Sequence, residues 1–210
     1  MNGSLEALLA SAAIWRARSA AGAAGAVVPS GWPRLDAQLP GGGWPLGTLI
    51  ELLLAEPGIG ELQLLLPALR ALSDARADDG HHWLAWIAAP HLPYPPAFAQ
   101  SGIAPERLLL IGTGTTAERL WAAEQALGSG SCLAVLLWLD AVDDRWLRRL
   151  KLAASAGGAL ACLFRPLGRR AGASPAALRL ALEPTPAGLD LRILKSRGRG
   201  PIRVRDAFGA

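Results

Sequence analysis

The chain has 210 residues, of which 51% are hydrophobic, and a net charge of +4. This composition excludes an intrinsically disordered chain and is sufficient for one folded domain with a core. No apolar run approaches the ~20 residues that cross a bilayer, and the first residues lack the basic segment of a secretory signal. We therefore expect a cytoplasmic protein without membrane contact, in which Cys132 and Cys162 are buried thiols.

The charge is concentrated at one end of the chain. Residues 1–163 carry 11 basic and 14 acidic side chains, whereas residues 164–210 carry 10 basic and 3 acidic ones. A basic segment of this kind is typical of proteins that contact nucleic acid or another acidic partner. It also occurs without any such role, and the charge count leaves both alternatives open.

The N-terminal segment predicts a short amphipathic helix followed by a tether. Within residues 4–18, apolar side chains recur at helical spacing, at Leu5, Leu8, Leu9 and Trp15. Residues 20–26 contain only Ala and Gly, so we divide the chain into an arm at 1–26 and a domain at 27–210. A helix this short must dock its apolar face. It docks either on its own core or on a partner protein, for which these four side chains are the candidate contacts.

From residue 27, predicted strands and helices alternate. We predict strands at residues 48–54, 83–88, 107–111, 133–139 and 159–164, and helices at residues 61–72, 117–127 and 145–154. Three further strands, at residues 178–182, 189–194 and 202–204, have no helix between them. The pattern predicts an α/β fold with a mainly parallel sheet flanked by helices and with antiparallel C-terminal strands.

The turn after the first long predicted strand has the outline of a phosphate-binding P-loop but lacks its chemistry. The motif needs a lysine and a hydroxyl directly after its second glycine. Residues 55–62 contain Gly58 and Gly60, but Glu61 and Leu62 occupy those two positions. A carboxylate beside a polyphosphate is repelled by several kcal/mol. These residues predict a vestigial nucleotide loop with no cofactor and no ATPase activity, and a plain strand-to-helix turn is the simpler alternative.

Two other patterns have simple explanations. Residues 112–117 match a dinucleotide-binding fingerprint, yet Thr115 and Glu118 have the spacing of a helix capping box. His81 and His82 lie in a polar connector, where we expect no metal site. The tryptophans form two groups, with Trp83, Trp86 and Trp138 expected in the core and Trp15, Trp32 and Trp44 in segments where exposed aromatic rings would favour an interface.

Several motifs resemble those of RecA proteins. Residues 30–36 and 39–47 resemble the entry to the RecA core, where a Gly-x-x-x-Leu-Asp turn and a glycine-rich loop precede the P-loop strand. RecA proteins carry a catalytic glutamate just before a histidine, and this chain has Pro90 before His91. Asp140 ends a run similar to the Walker B strand and is the one acidic residue of these motifs that is left. The resemblance implies a RecA-like core without the residues that hydrolyse ATP.

The same resemblance gives the basic end a candidate role. RecA proteins place a DNA-contacting loop after the fifth strand, and residues 195–197 resemble a basic pair that reaches a neighbour's nucleotide in RecA filaments. The candidate nucleic-acid contacts are therefore Arg165, Arg169, Arg170, Lys195, Arg197 and Arg199.

Within that superfamily the chain resembles the ImuA family, the SulA- and RecA-like proteins of bacterial mutagenesis cassettes. The likeness rests on Trp15-Arg16 and on residues 39–45, 58–69 and 199–206, and it covers essentially the whole chain. It implies a non-catalytic accessory protein of SOS-induced translesion DNA synthesis. The implied partners are an ImuB-type Y-family-like protein and an error-prone replicative-type polymerase complex, with RecA and single-stranded DNA left open. The alternative is a SulA-like cell division inhibitor that binds FtsZ.

Overall fold

A computed structural model describes residues 25–76, 82–112, 114–168, 172–186, 188–196 and 201–208. The predicted helical arm, with Leu5, Leu8, Leu9 and Trp15, lies outside the described residues. So do four of the predicted nucleic-acid contacts, namely Arg169, Arg170, Arg197 and Arg199.

The elements follow the predicted alternation of strands and helices. The strands are β1 (Val27–Val28), β2 (Trp44–Pro45), β3 (Thr48–Leu54), β4 (Trp83–Ile87), β5 (Leu108–Ile111), β6 (Cys132–Trp138), β7 (Leu160–Pro166), β8 (Leu178–Thr185), β9 (Gly188–Lys195) and β10 (Ile202–Val204). The helices are α1 (Pro33–Asp36), α2 (Glu61–Asp74), α3 (Pro95–Gln100), α4 (Thr116–Gly128) and α5 (Asp144–Gly157), with a 3-10 turn at Pro105–Arg107. The short elements β1, β2, α1 and α3 are the ones that the sequence pattern missed.

The main sheet has the order β10-β9-β8-β3-β7-β6-β4-β5. The six strands from β8 to β5 are parallel, and β9 runs antiparallel to both β8 and β10. The parallel strands are nearly continuous apolar runs because helices cover both faces of the sheet. The prediction of a mixed α/β fold with a mainly parallel sheet and antiparallel C-terminal strands is confirmed.

The two faces of the sheet carry separate cores. On one face, side chains of α2 and α3 pack against alternate strand residues, and on the other face α4 and α5 do so. Cys132 and Cys162 are buried, as predicted. Trp86 and Trp138 are core residues, but Trp83 is 39% exposed because it stands at the first position of β4. Among the described helices, none combines the length and apolarity that a bilayer span requires.

The entry segment at residues 30–36 docks on α2. Pro67 interrupts the α2 hydrogen-bond ladder, and a Cβ on Gly31 would lie only 2.4 Å from the Pro67 Cβ. The Trp32 indole N–H donates to the Leu64 carbonyl at 3.0 Å. Asp36 closes the turn by accepting from the Ser30 N–H at 2.9 Å. The contacts of this motif among the described residues are therefore structural.

Trp44, for which exposure would have indicated an interface, is fully buried. Trp44 belongs to the core on the α2 face. Trp32, the other described tryptophan of the entry segment, is half-buried. Because the buried Trp44 ring is inaccessible to a partner protein, it cannot form the interface that exposure would have indicated.

Candidate functional site

The carboxyl ends of the parallel strands hold two adjoining clefts. One, of about 280 Å³, is bounded by the ends of β3, β6 and β7 and includes Asp140. The other, of about 250 Å³, includes the predicted loop residues Gly58, Gly60, Glu61 and Leu62. Pro90 and Trp138 line both clefts. The fold therefore brings the predicted loop residues and Asp140 to the edge of the sheet where α/β proteins bind ligands.

Glu61 closes the glycine turn with its own side chain. Both of its carboxylate oxygens accept from the Gly58 backbone N–H, at 2.9 and 3.1 Å, and the residue is only 4% exposed. Gly58 and Gly60 have φ of +88° and +106°, conformations that glycine adopts at low cost. Gly60 is also the N-cap of α2, where the helix dipole favours a negative charge. The Glu61 carboxylate therefore occupies the position at which a turn of this kind could bind an external anion.

A second contact covers the turn from outside. The Phe208 ring lies 3.3 Å from the position that a Cβ on Gly60 would take, and it packs against Trp32 with ring centroids 4.8 Å apart. Leu62 packs against the core on the α2 face. Leu62 supplies no hydroxyl for a metal, and Glu61 supplies no cation for a phosphate.

The walls of the clefts combine aromatic and apolar side chains with charged ones, and the cleft that contains Asp140 is also lined by Glu56, Arg119 and Arg165. Trp138 and Phe164 stack with ring centroids 4.4 Å apart and an interplanar angle of 16°. Three prolines, Pro57, Pro90 and Pro166, line the cleft that contains Asp140. The Trp138 indole Nε1 is buried and has no hydrogen-bond partner among the described residues.

A buried ion cluster lies inside the sheet, and sequence analysis did not find it. Glu51, in the middle of β3, is fully buried and accepts from Arg165 Nη1 at 2.9 Å and from Arg179 Nε at 2.6 Å. Arg179 lies directly opposite Glu51 in the parallel register of β8. A lone acid in an apolar strand requires a partner. Glu51 within the apolar run of β3 is therefore the signal from which the cluster could have been predicted.

This cluster changes the interpretation of Arg165. Its side chain, predicted to contact DNA, is only 10% exposed and pairs with Glu51. The Arg165 guanidinium therefore has a structural partner inside the sheet, and a DNA contact through this residue stays a prediction.

Three other described cations of the basic end, Arg192, Lys195 and Arg203, also contact the chain itself. Lys195, a predicted nucleic-acid contact, donates from Nζ to the Ser174 carbonyl at 2.7 Å. Arg192 pairs with Glu183 at 3.0 Å and Arg203 with Asp190 at 2.8 Å. Asp190 also accepts from the Asp206 N–H at 2.9 Å, and this hydrogen bond, with the Arg203 contacts, lowers the pKa of the Asp190 carboxyl. These acids therefore neutralise part of the basic end.

The structure supports the capping-box interpretation of residues 115–118. Thr115 Oγ1 accepts from the Glu118 N–H at 3.3 Å, and the Glu118 carboxylate accepts from the Thr115 N–H at 2.6 Å. The Thr115 hydroxyl also donates to this carboxylate, at 3.1 Å. The hydrogen bonds that the carboxylate accepts from the Thr115 N–H and hydroxyl hold the pKa of Glu118 below its usual value. Asp143 likewise caps α5 by accepting from the Trp146 N–H at 2.8 Å. Within the described ranges, no cluster of three His, Cys, Asp or Glu side chains is arranged to hold a metal.

The fold and this edge define a mixed α/β protein whose glycine turn is closed by its own carboxylate. No family model matches the chain. It is 31% identical over 122 residues to the cell division inhibitor SulA of Edwardsiella piscicida, a match that covers 58% of this chain and 73% of the relative. It is 29% identical over 175 residues to Protein ImuA of Caulobacter vibrioides strain NA1000 / CB15N, covering 77% of this chain and 70% of the relative. The chain belongs to the family that contains SulA and ImuA.

A solved structure is also similar to part of the chain. The crystal structure of SulA from Pseudomonas aeruginosa is 29% identical, with a TM-score of 0.44, and the match covers 56% of this chain and 97% of that one.

Proposed function

We propose that this chain is a non-catalytic accessory protein of SOS-induced, error-prone translesion DNA synthesis. In this role it acts as an adaptor between an ImuB-type Y-family-like protein and an error-prone replicative-type polymerase. The observation that carries the proposal is the extent of the likeness to ImuA, which covers 77% of the chain, against 58% for the likeness to SulA.

We further propose that the domain is a RecA-like core that has lost its nucleotide. Two features support this. The strand before the glycine turn, β3, lies inside the sheet between β7 and β8, and the turn opens at the carboxyl edge, as in nucleotide-binding α/β folds. A triphosphate at this turn would have to displace the Glu61 carboxylate from the Gly58 N–H. Titration calorimetry with magnesium–ATP is expected to give no binding heat, and saturable binding would overturn this part of the proposal.

The adaptor role places the partner contact on the N-terminal arm. Its apolar side chains, including Leu5 and Leu8, are expected to form one face of a helix. Replacing both leucines by Asp should abolish pull-down of the ImuB-type protein, because two charges cannot enter an apolar contact. The matched control is Glu6→Ala in the same segment, which should bind like the wild type. Unchanged binding by the double variant would exclude the arm as the contact.

A second candidate function is inhibition of cell division. The observation that favours it is the 31% identity to a protein named as a cell division inhibitor. Overexpression in cells that lack the ImuB-type protein distinguishes the two functions. Filamentation in such cells, together with binding to purified FtsZ, would support the inhibitor, whereas normal division would support the accessory role.

Direct contact with DNA is a separate part of the proposal. Its candidate contacts are Arg165, Arg169, Arg170, Lys195, Arg197 and Arg199. Of these, Arg165 also pairs with Glu51 and Lys195 also donates to the Ser174 carbonyl. Binding through phosphates falls steeply with salt. Fluorescence anisotropy with a single-stranded oligonucleotide at ~50 mM salt tests this, and no binding there would remove DNA from the set of partners.

A further inference from the structure

The loop between β4 and α3 exposes large apolar side chains beside both clefts. Leu92 is 87% exposed and Tyr94 is 69% exposed, while Pro90 and His91, in the same loop, line the cleft beside the glycine turn. No Asp, Glu, Lys or Arg occurs anywhere from residue 80 to residue 105. Large apolar side chains that are exposed to water, in a stretch of sequence without charged residues, are typical of a surface that contacts another molecule.

The sequence fixes this loop in an extended conformation. Leu92 precedes Pro93 and Tyr94 precedes Pro95, and a residue before proline is restricted to the extended region. The ring of Pro93 sets its own φ near −65°. Tyr94 accordingly has φ −88° and ψ 106°. Leu92 and Tyr94 are therefore held apart by roughly 6 Å along a stiff segment, at ~3.1 Å per residue.

Both ends of the loop are anchored. At one end Ala88 has φ +54°, an uncommon conformation for a residue with a side chain that persists only where the surroundings hold it. Its N–H donates to the Ile111 carbonyl at 2.9 Å. At the other end Phe98 of α3 packs edge-on against Trp86 with ring centroids 5.4 Å apart. An anchored, stiff loop loses little conformational entropy when it binds.

We propose that residues 90–96 are a preformed docking segment that inserts Leu92 and Tyr94 into an apolar, aromatic-lined groove of a protein partner. Proline-rich extended segments are recognised by grooves of this chemistry. The absence of Lys and Arg from residues 80–105 favours this partner over phosphate or an anionic membrane, although Arg119 lines the same cleft as Pro90. The inference rests on the proposed adaptor function, and it adds a second contact surface besides the N-terminal arm.

The test uses the full chain and the purified ImuB-type protein, with affinities measured by calorimetry or interferometry. Leu92→Asp and Tyr94→Ala are each expected to weaken binding by about tenfold or more, which corresponds to about 1.4 kcal/mol. Leu152→Asp is the matched control, since Leu152 is also an apolar residue with high exposure, 71%, and lies on α5. All three variants change exposed side chains, so their circular dichroism and denaturation midpoints should equal those of the wild type.

Three outcomes decide the inference. Loss of affinity in both loop variants with an unaffected control supports it, as does competition by a synthetic peptide of residues 88–97. Wild-type affinity in both loop variants, or an equal loss in the Leu152 control, overturns it while leaving the adaptor function intact. A wild-type chain that does not bind the ImuB-type protein overturns the adaptor function itself and this inference with it.

Discussion

The glycine turn and the antiparallel strands β8–β10 are the two regions that sequence motifs associate with charged ligands. In the turn, the backbone N–H of Gly58 already binds the Glu61 carboxylate. In the antiparallel region, Arg192 and Arg203 already pair with Glu183 and Asp190. In both regions, therefore, residues of the same chain neutralise much of the charge. The exposed residues Leu92 and Tyr94 form the surface that we propose for contact with a partner.

The glycine turn differs from the buried cluster at Glu51 in how far along the chain the neutralising partner lies. Glu61 and Gly58 belong to one turn, so a short sequence window contains the whole contact. Glu51 meets Arg165 and Arg179 only because β7 and β8 are the strands on either side of β3. We therefore expect the distant contacts to matter most for stability, because they join the two halves of the sheet, and the following variants test this.

The largest effect is expected for Glu51→Ala. Removing the carboxylate leaves two nearly buried guanidinium groups without their shared acid, and breaking such a buried pair costs about 3–5 kcal/mol. Urea denaturation should show this loss in the free energy of unfolding. The control is Glu183→Ala, which removes an acid from a pair whose side chains are both 40% exposed and should cost less than about 1 kcal/mol. Equal losses would contradict a special role for the buried cluster.

A smaller loss is expected for Glu61→Ala. The variant leaves the Gly58 N–H without its acceptor, and a hydrogen bond to a charged group contributes about 1.5–3 kcal/mol. Glu61→Gln is the matched control, because it keeps an oxygen acceptor and removes only the charge. It should unfold between the wild type and the alanine variant in urea. If the alanine variant is as stable as the wild type, the carboxylate does not hold the turn closed.

Thr115→Ala is expected to cost about 1 kcal/mol. The change removes the side-chain acceptor at the start of α4, and N-cap substitutions of this kind have that magnitude. Thr116→Ala, one position further into the helix, is the control and should have little effect. Thermal or urea unfolding of both variants measures the difference. A larger loss for Thr116→Ala would place the cap at another residue.

The smallest effect is a pH dependence from Asp190. Its pKa is lower in the folded chain than in the unfolded one, so its contribution is fully present above the unfolded value of about 3.9. The contribution is lost as the pH falls through the lower folded value. It should be below about 1 kcal/mol because Arg203 is 56% exposed. Urea unfolding at pH 6 and pH 3 should show a smaller acid loss for Asp190→Asn, and an identical loss would remove Asp190 as the cause.

Contacts within one turn or one helix were predictable from the sequence, and contacts across the sheet were not. The capping box at Thr115, the Asp143 cap and the apolar strands follow from local patterns, and the structure has all of them. The pairing of Glu51 depends on strand order, which local patterns do not specify. The partner of Arg165 was not predictable for the same reason, since a basic residue at the end of a strand gives no indication of a buried acid 114 residues earlier in the chain.

In the candidate site, too, the contacts between residues were not predictable from the sequence. The sequence predicted that Glu61 would repel a phosphate, but not that its carboxylate would accept from Gly58. It also did not indicate that Phe208 would pack over Gly60, because 148 residues separate the two along the chain. Short helices such as α3 were missed because six residues are too few to show a helical period.

The position of Phe208 has a consequence for synthesis on the ribosome. Chains emerge from their N-terminus, so Trp32 and Gly60 leave the ribosome well before the ring that covers them. Until β10 has paired with β9, Trp32 and Gly60 remain exposed to solvent in the nascent chain. We expect that interval to be the time when the protein is most open to chaperones or to premature association.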